Sequence, residues 1–243
     1  GDHMGTRGPG TGARIATLNT YRKFMPDEQK WEVVYKLMRA LDIDILVLTE
    51  PGKADEMRTA TLKEWAIDKQ MSVEMVNRSN RDKAGGIVII TAHQWAGVKR
   101  KVTTFAPKTT DRDRVFAVEY DNGVQGDHNK LLLIGYYGLN ASNTKKKQLR
   151  EMHEFVWKVK SQFKRRCWRA PVVLAGDINA ARSTRHDTDR EALGDGQEAD
   201  AGTLEHLETL GFHDPLRDNH PNTRIVTRRP GKSKVGTMRY LDR

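Results

Sequence analysis

Three apolar runs in this chain each close on an oxygen-bearing side chain. Asn19 follows Ile15-Ala16-Thr17-Leu18, Glu50 follows Leu46-Val47-Leu48-Thr49, and Asp177 follows Val172-Val173-Leu174-Ala175-Gly176. Runs of this length and content read as buried strands. Strand ends at one edge of a packed sheet converge, so the three groups could line one cleft. Amide and carboxylate oxygens are what a hard divalent cation takes as ligands, and Mg²⁺ keeps several waters, so one or two carboxylates suffice. Such an ion polarises a phosphoryl oxygen and stabilises a departing alkoxide. Asp, Asn and Gly also end strands simply as turn formers. By residue type alone, both readings stand.

The elements that must carry these groups alternate between the two periodicities. Residues 14–19, 42–49, 72–77, 87–91, 98–104, 114–120, 130–137 and 172–175 read as strands. Glu50 is followed by the stop signal Pro51-Gly52, and Asp121-Asn122-Gly123 is a hairpin-type turn signal. Helical spacing appears at residues 31–41, through Val33, Val34, Leu37, Met38 and Leu41, and again at 57–69. The longest helix candidate is 145–167, with Leu149, Met152, Val156, Val159 and Phe163 as its apolar stripe and a basic opposite face. Residues 181–201 are polar and read as a surface loop, and Leu204, Leu207 and Leu210 mark a short helix that Gly211 ends. Hairpins mixed with helices are best met by an α/β architecture of two sheets packed face to face, helices on the outer faces. One domain over residues 13–243 is expected. Gly1-Asp2-His3-Met4 looks like the remnant of an expression tag, and the glycine-rich residues 5–12 read as a flexible linker.

Composition narrows the partner. The 243 residues carry 37% hydrophobic side chains and no apolar run near the length of a membrane span, which argues for a globular protein that does not cross a bilayer. A formal charge of +10 points to a polyanion, because Lys and Arg neutralise phosphates and release their counterions. Lys99-Arg100-Lys101, Lys145-Lys146-Lys147 and Lys164-Arg165-Arg166 are the densest basic runs, and each alone also fits a solvated face. The single cysteine, Cys167, excludes an internal disulfide and reads as a thiol at a helix end.

Read in order, Thr17-Leu18-Asn19-Thr20, Leu48-Thr49-Glu50-Pro51, Gly135-Tyr136-Tyr137-Gly138-Leu139-Asn140 and Gly176-Asp177-Ile178-Asn179 resemble the motifs of the endonuclease/exonuclease/phosphatase superfamily. His213-Asp214-Pro215-Leu216-Arg217 and Tyr240-Leu241-Asp242-Arg243 resemble its two late motifs. The resemblance runs from about Arg14 to Arg243 and implies a DNase I-like sandwich with a divalent metal, Mg²⁺, for which Mn²⁺ can substitute. It implies that Glu50 is the principal metal ligand, with Asn19 beside the metal and able to bond the phosphate. Asp177 would orient and deprotonate the attacking water, with Asn179 positioning it. Tyr137 would donate to the phosphate charge that grows in the transition state. Tyr136 is the alternative, since a shift of one residue on a strand turns the side chain to the other face. Asp242 would orient a histidine at the scissile phosphate, and Asn140, Asp214, Arg217, Arg228, Arg229 and Arg239 would contact substrate.

One departure accompanies the likeness. The superfamily ends in a further strand and a Ser-Asp-His motif, whereas this sequence stops at Arg243. The expectation is therefore a domain lacking that last strand, weakly active or inactive as it stands, cut from a longer polypeptide. Superfamily members act on many phosphodiesters, and the fold does not choose among them. The basic residues of 217–243 fall near where the DNA-cutting members of the superfamily place a loop over the substrate, and the segment Arg81-Asp82-Lys83-Ala84-Gly85-Gly86-Ile87-Val88-Ile89 is similar to a strand of the endonuclease domains of non-LTR retrotransposons. That likeness implies nicking of double-stranded DNA in the nucleus, with a reverse transcriptase in the same polyprotein and no membrane. Two alternatives remain: an abasic-site repair endonuclease, against which the absence of Trp after Trp168 counts, and a non-catalytic binding module on the same fold.

Overall fold

The computed structural model describes residues 13–76, 86–96, 98–105, 113–123, 126–139, 146–179, 201–214 and 218. They fall into two compact units, Gly1–Tyr137 with Glu154–Gly176, and Gly138–His153 with Asp177–Arg243. The first unit contains β1 (Ile15–Asn19), α1 (Glu28–Ala40), β2 (Ile45–Thr49), α2 (Glu56–Asp68), β3 (Ser72–Val76), β4 (Ile87–Thr91), α3 (His93–Ala96), β5 (Lys99–Thr104), β6 (Val115–Asp121) and β7 (Lys130–Tyr137). Helix α4 (Lys146–Arg166) and strand β8 (Val172–Asp177) run from one unit into the other, and α5 (Ala201–Thr209) belongs to the second.

The strands make two four-stranded sheets, ordered β1-β2-β4-β3 and β5-β6-β7-β8. In the first, β1 and β2 are parallel, with Asn19 opposite Thr49, and β4 pairs antiparallel with both β2 and β3. Strands β2 and β4 are buried throughout, so an unbroken apolar run serves two cores. Leu46, Leu48, Val88 and Ile90 pack with Trp31, Val34 and Met38 of α1 and Leu62 and Ala66 of α2. Ile45, Val47, Ile87 and Ile89 turn the other way, toward Phe116, Val118, Tyr120, Leu131, Leu133 and Tyr137 of the second sheet. The alternation is the period of two written into the strand. Gly135 lets the sheets approach, since a Cβ there would lie 3.1 Å from Ile87 Cγ2.

The helices follow their caps. Asp27 accepts from Gln29 N (3.0 Å) at the start of α1, and Asp55 accepts from Arg58 N (2.7 Å) at the start of α2. Each ends on a left-handed residue, Asp42 (φ 52°) and Gln70 (φ 57°), whose successors return hydrogen bonds five residues back, Ile43 N to Met38 O and Met71 N to Ala66 O. The cap at Asp42 explains why β2 begins at Ile45 and not at 42 as the hydropathy pattern implies. The stripe that α1 buries is Trp31, Val34 and Met38; of the residues expected in it, Val33 and Leu41 are both 57% exposed, Val33 because it lies off that 3-4 spacing and Leu41 because it caps the C-terminal end, past the last helical turn. Gly211 (φ 74°) ends α5 as anticipated, with Phe212 N bonded to Leu207 O. The β6–β7 turn is wider than a two-residue hairpin: Asp121 accepts from Gly123 N, Asn122 N donates to Asn129 O, and a single 3₁₀ turn (Asp127–Asn129) precedes β7. Helix α3, too short for a periodic signal, was not expected from the sequence.

Candidate active site

Parallel pairing of β1 and β2 brings their C-terminal ends, Asn19 and Glu50, out at the same edge of the first sheet. Glu50 is no longer in strand conformation. Its φ of 50° lies in the left-handed region that a Cβ disfavours by about 1 kcal/mol or more. Three main-chain and hydroxyl contacts hold it there: Thr20 Oγ1 (2.7 Å) and Arg22 N (2.7 Å) both donate to Glu50 O, and Glu50 N donates to Gly86 O (3.2 Å). Behind it Gly52, at φ 98°, leaves no room for a Cβ, which would sit 2.6 Å from Arg22 O. This loop over-determines the conformation of one half-buried carboxylate.

Two donors meet that carboxylate on the same oxygen. Asn19 Nδ2 donates to Glu50 Oε1 at 3.3 Å, while Asn19 Oδ1 accepts from Tyr21 N at 2.9 Å, which fixes the amide's orientation. The Tyr137 hydroxyl also donates to Oε1. Tyr137 reaches it because odd-numbered residues of β7 face the first sheet; Tyr136, on the opposite face, is fully buried. The tandem is thereby resolved geometrically: the hydroxyl at the Glu50 edge is that of Tyr137.

Arg114 completes this cluster and was not singled out by sequence. Only 9% exposed, it lies with its guanidinium carbon 4.7 Å from the Tyr137 ring centroid, and its carbonyl accepts from Tyr137 N at 2.7 Å. It precedes an ordinary apolar strand, so nothing in its local spacing separates it from any surface arginine. Thr20 was missed for a similar reason, since a hydroxyl next to a strand end is a common turn residue.

In the second unit Asp177 is buried, at 5% exposure. Its Oδ1 accepts from the main-chain N–H of Asn179 at 3.1 Å, and Asn179 sits at φ 55°. The Asn179 side chain donates instead to Gly138 O (3.0 Å), and Gly138 N donates to Asp177 O (2.7 Å). Asn179 thus fixes the aspartate through its backbone and the Gly138 strand end through its amide. Asp214, after α5, is half-buried, and its carbonyl accepts from Asp218 N (2.9 Å). Asn140, Arg217, Arg228, Arg229, Arg239 and Asp242 lie outside the described residues.

Glycine makes both strand ends possible. A Cβ on Gly176 (φ 146°) would fall 1.9 Å from Tyr136 O, and one on Gly138 would fall 1.7 Å from Ile178 O. Main chain lies against main chain at each place. A side chain of any size would push them apart.

No family model matches the chain, and no curated protein matches it. Solved structures do. An AP endonuclease from Archaeoglobus fulgidus superposes with a TM-score of 0.69 at 19% identity, covering 95% of this chain and 85% of that one. AP endonuclease LMAP from Leishmania major gives 0.70 at 14% identity, over 92% and 74% of the two chains. The 3′ phosphatase NExo from Neisseria, solved with a product DNA hairpin, gives 0.68 at 20% identity, over 95% and 85%. The fold is DNase I-like. This agrees with the two-sheet α/β sandwich expected from the strand pattern. The Glu50 cluster stands at the edge of the first sheet where β1 and β2 end.

The Glu50 carboxylate suits a hard, largely hydrated cation, since neither Asn19 nor Tyr137 uses Glu50 Oε2 and one carboxylate can anchor Mg²⁺; Asn19, expected as a second ligand, turns its amide nitrogen to Glu50 and its oxygen to Tyr21 N. Among the described residues no group of three or more His, Cys, Asp or Glu side chains is arranged to hold a metal by itself.

Proposed function

We propose that this chain is a metal-dependent phosphodiesterase that nicks double-stranded DNA, the endonuclease domain of a non-LTR retrotransposon polyprotein that works with a reverse transcriptase in the same polypeptide. The observation that carries the hydrolase reading is the Glu50 carboxylate, held in a strained backbone conformation with Asn19 and the Tyr137 hydroxyl both on Oε1. Strain of this kind persists where surrounding contacts enforce it, and it gathers at functional sites. The fold alone admits many chemistries; the DNA named with the Neisseria phosphatase and the charge of +10 favour a nucleic-acid substrate.

The division of labour follows from the side chains. A divalent cation at Glu50 would supply Lewis acidity to a phosphoryl oxygen and to the leaving alkoxide. Asn19 keeps the carboxylate aimed by occupying one of its oxygens. Asp177, its Oδ1 pinned by Asn179 N–H, would take the proton of the attacking water as general base. The Tyr137 hydroxyl would turn from Glu50 to the phosphate as charge builds there.

Abasic-site cleavage is the second reading, favoured by the names of two structural neighbours. The two separate on a supercoiled plasmid and an abasic oligonucleotide. The expected result is at most weak conversion to nicked circles in Mg²⁺, none in EDTA, and no faster cleavage of the abasic duplex than of an intact one. Nicking that persists in EDTA, or in Glu50→Gln, would remove the metal-dependent reading.

A further inference from the structure

Helix α4 turns an unusual surface to solvent. Met152, Val156, Val159 and Phe163 are buried, so its apolar stripe is already covered. On the outside, Trp157 is 56% exposed, and Trp168, just past the helix end, is 67% exposed. Indoles are large and seldom left in water without a partner. The turn bearing Trp168 is held in place: Lys164 Nζ donates to Trp168 O (3.0 Å) and Ala170 O (2.7 Å), and Arg169 N donates to Asp127 Oδ2 (2.9 Å). The Arg169 guanidinium carbon stands 4.4 Å from the Trp168 ring centroid. Lys158 and Arg165 are exposed beside the indoles, and from Phe155 to Ala170 the sequence has six basic residues and no acidic one.

We propose that the outer face of α4 and the turn after it bind single-stranded nucleic acid, with Trp157 and Trp168 as stacking platforms and Lys158, Arg165 and Arg169 as phosphate contacts. Cations interleaved with exposed aromatic faces are what an unpaired strand requires, because every base has a π-face and every linkage a charge. A duplex hides its base faces in its own stack and would leave the indoles unused. An anionic membrane would need an apolar helix face to insert, and in α4 that face is buried. A guanidinium over Trp168 covers one face of the ring, and at 67% exposure the indole still presents area to a base. This surface would hold a strand without cutting it, and the proposal does not rest on the phosphodiesterase reading.

The test uses the full chain in EDTA with fluorescein-labelled oligo-dT, a labelled duplex of equal length and anionic vesicles, read by anisotropy and sedimentation. Trp157→Ala with Trp168→Ala should weaken oligo-dT binding at least about tenfold and duplex binding less than about twofold. The paired Trp→Phe variant should keep oligo-dT affinity within about threefold, since a phenyl ring still stacks. Plasmid nicking in Mg²⁺ should be unchanged in both. Lys158→Glu with Arg165→Glu should weaken oligo-dT binding and flatten its salt dependence. The proposal is overturned if the double Ala variant binds oligo-dT as the parent does, or if the parent binds vesicles and not oligo-dT. Oligo-dT binding by the parent supports this proposal whether or not the parent nicks plasmid.

Discussion

At Glu50 two demands on one residue conflict. A carboxylate is needed for the proposed chemistry, and the backbone there, at φ 50°, is one that glycine adopts most easily. Two substitutions separate the demands. Glu50→Gln keeps shape and backbone and removes the charge, so plasmid nicking should fall at least about 100-fold with the denaturation midpoint nearly unchanged. Glu50→Gly should abolish nicking equally and yet raise stability by roughly 1 kcal/mol in urea melts, because the strain is relieved. A Gly variant less stable than the parent would show that the carboxylate's hydrogen bonds outweigh the backbone penalty. Arg114 offers a second test at this scale. If it acts by holding the Tyr137 ring, Arg114→Met should slow nicking about tenfold in the parent and hardly at all in Tyr137→Phe. Additive losses in that double-mutant cycle would place Arg114's effect elsewhere.

Elements here are joined as much by glycine as by side-chain packing. The clash distances of 1.7 Å at Gly138 and 1.9 Å at Gly176 are to main-chain oxygens, which cannot swing away. Gly138→Ala and Gly176→Ala should each cost more than about 3 kcal/mol or prevent folding, whereas Gly123→Ala, with open space around it, should cost about 1 kcal/mol for its positive φ alone. Circular dichroism melts of the three variants check the ranking. A different liability lies where α4 meets α5. His153 is buried and stacks on His206 with ring centroids 4.5 Å apart. Burial, and then the neighbouring His206, push its pKa down to about 4 from 6.5. The unfolded chain therefore takes up a proton below pH 6.5 that the folded chain refuses until about pH 4. Stability from this group is full above 6.5, falls as pH drops, and levels off near 4. In His153→Gln the slope of stability between those pH values should flatten; an unchanged slope would show that other groups set it.

For the molecule as a whole, a charge of +10 sets the terms of association. Duplex binding in EDTA should decline steeply between 50 and 200 mM salt, by about a factor of 10³ if some six phosphates are contacted. A shallow dependence would mean that few of the 42 Lys and Arg residues touch the polyanion. How much of this was legible beforehand follows from the range of the forces involved. Strands such as β2 and β4 announce themselves through continuous apolar runs, and the ends of β1, β2 and β8 mark Asn19, Glu50 and Asp177, because local hydropathy carries that information. Partner choice does not: that β1 lies parallel to β2 while β4 runs antiparallel depends on contacts distant in sequence. In α1 the expected stripe holds at Val34 and Met38, while Trp31 joins them through the core it packs into with Leu46, Leu48, Val88 and Ile90, contacts distant in sequence. The left-handed turn at Glu50 carries no glycine or asparagine to mark it, and Arg114 precedes its strand without any signal of its ring contact.

The glycine seams have one more implication. Side-chain packing can be loosened by a rotamer change or retuned by a methyl group, and most protein surfaces drift in this way as sequences diverge. Where peptide touches peptide there is no torsion left to adjust, so the separation is set by bond lengths and van der Waals radii alone. The seams at Gly138 and Gly176 therefore act as rulers of fixed length within a molecule whose other dimensions can vary. Redesign of the surrounding core, or adaptation to a new temperature, can change nearly everything in this protein before it changes the spacing at those two points.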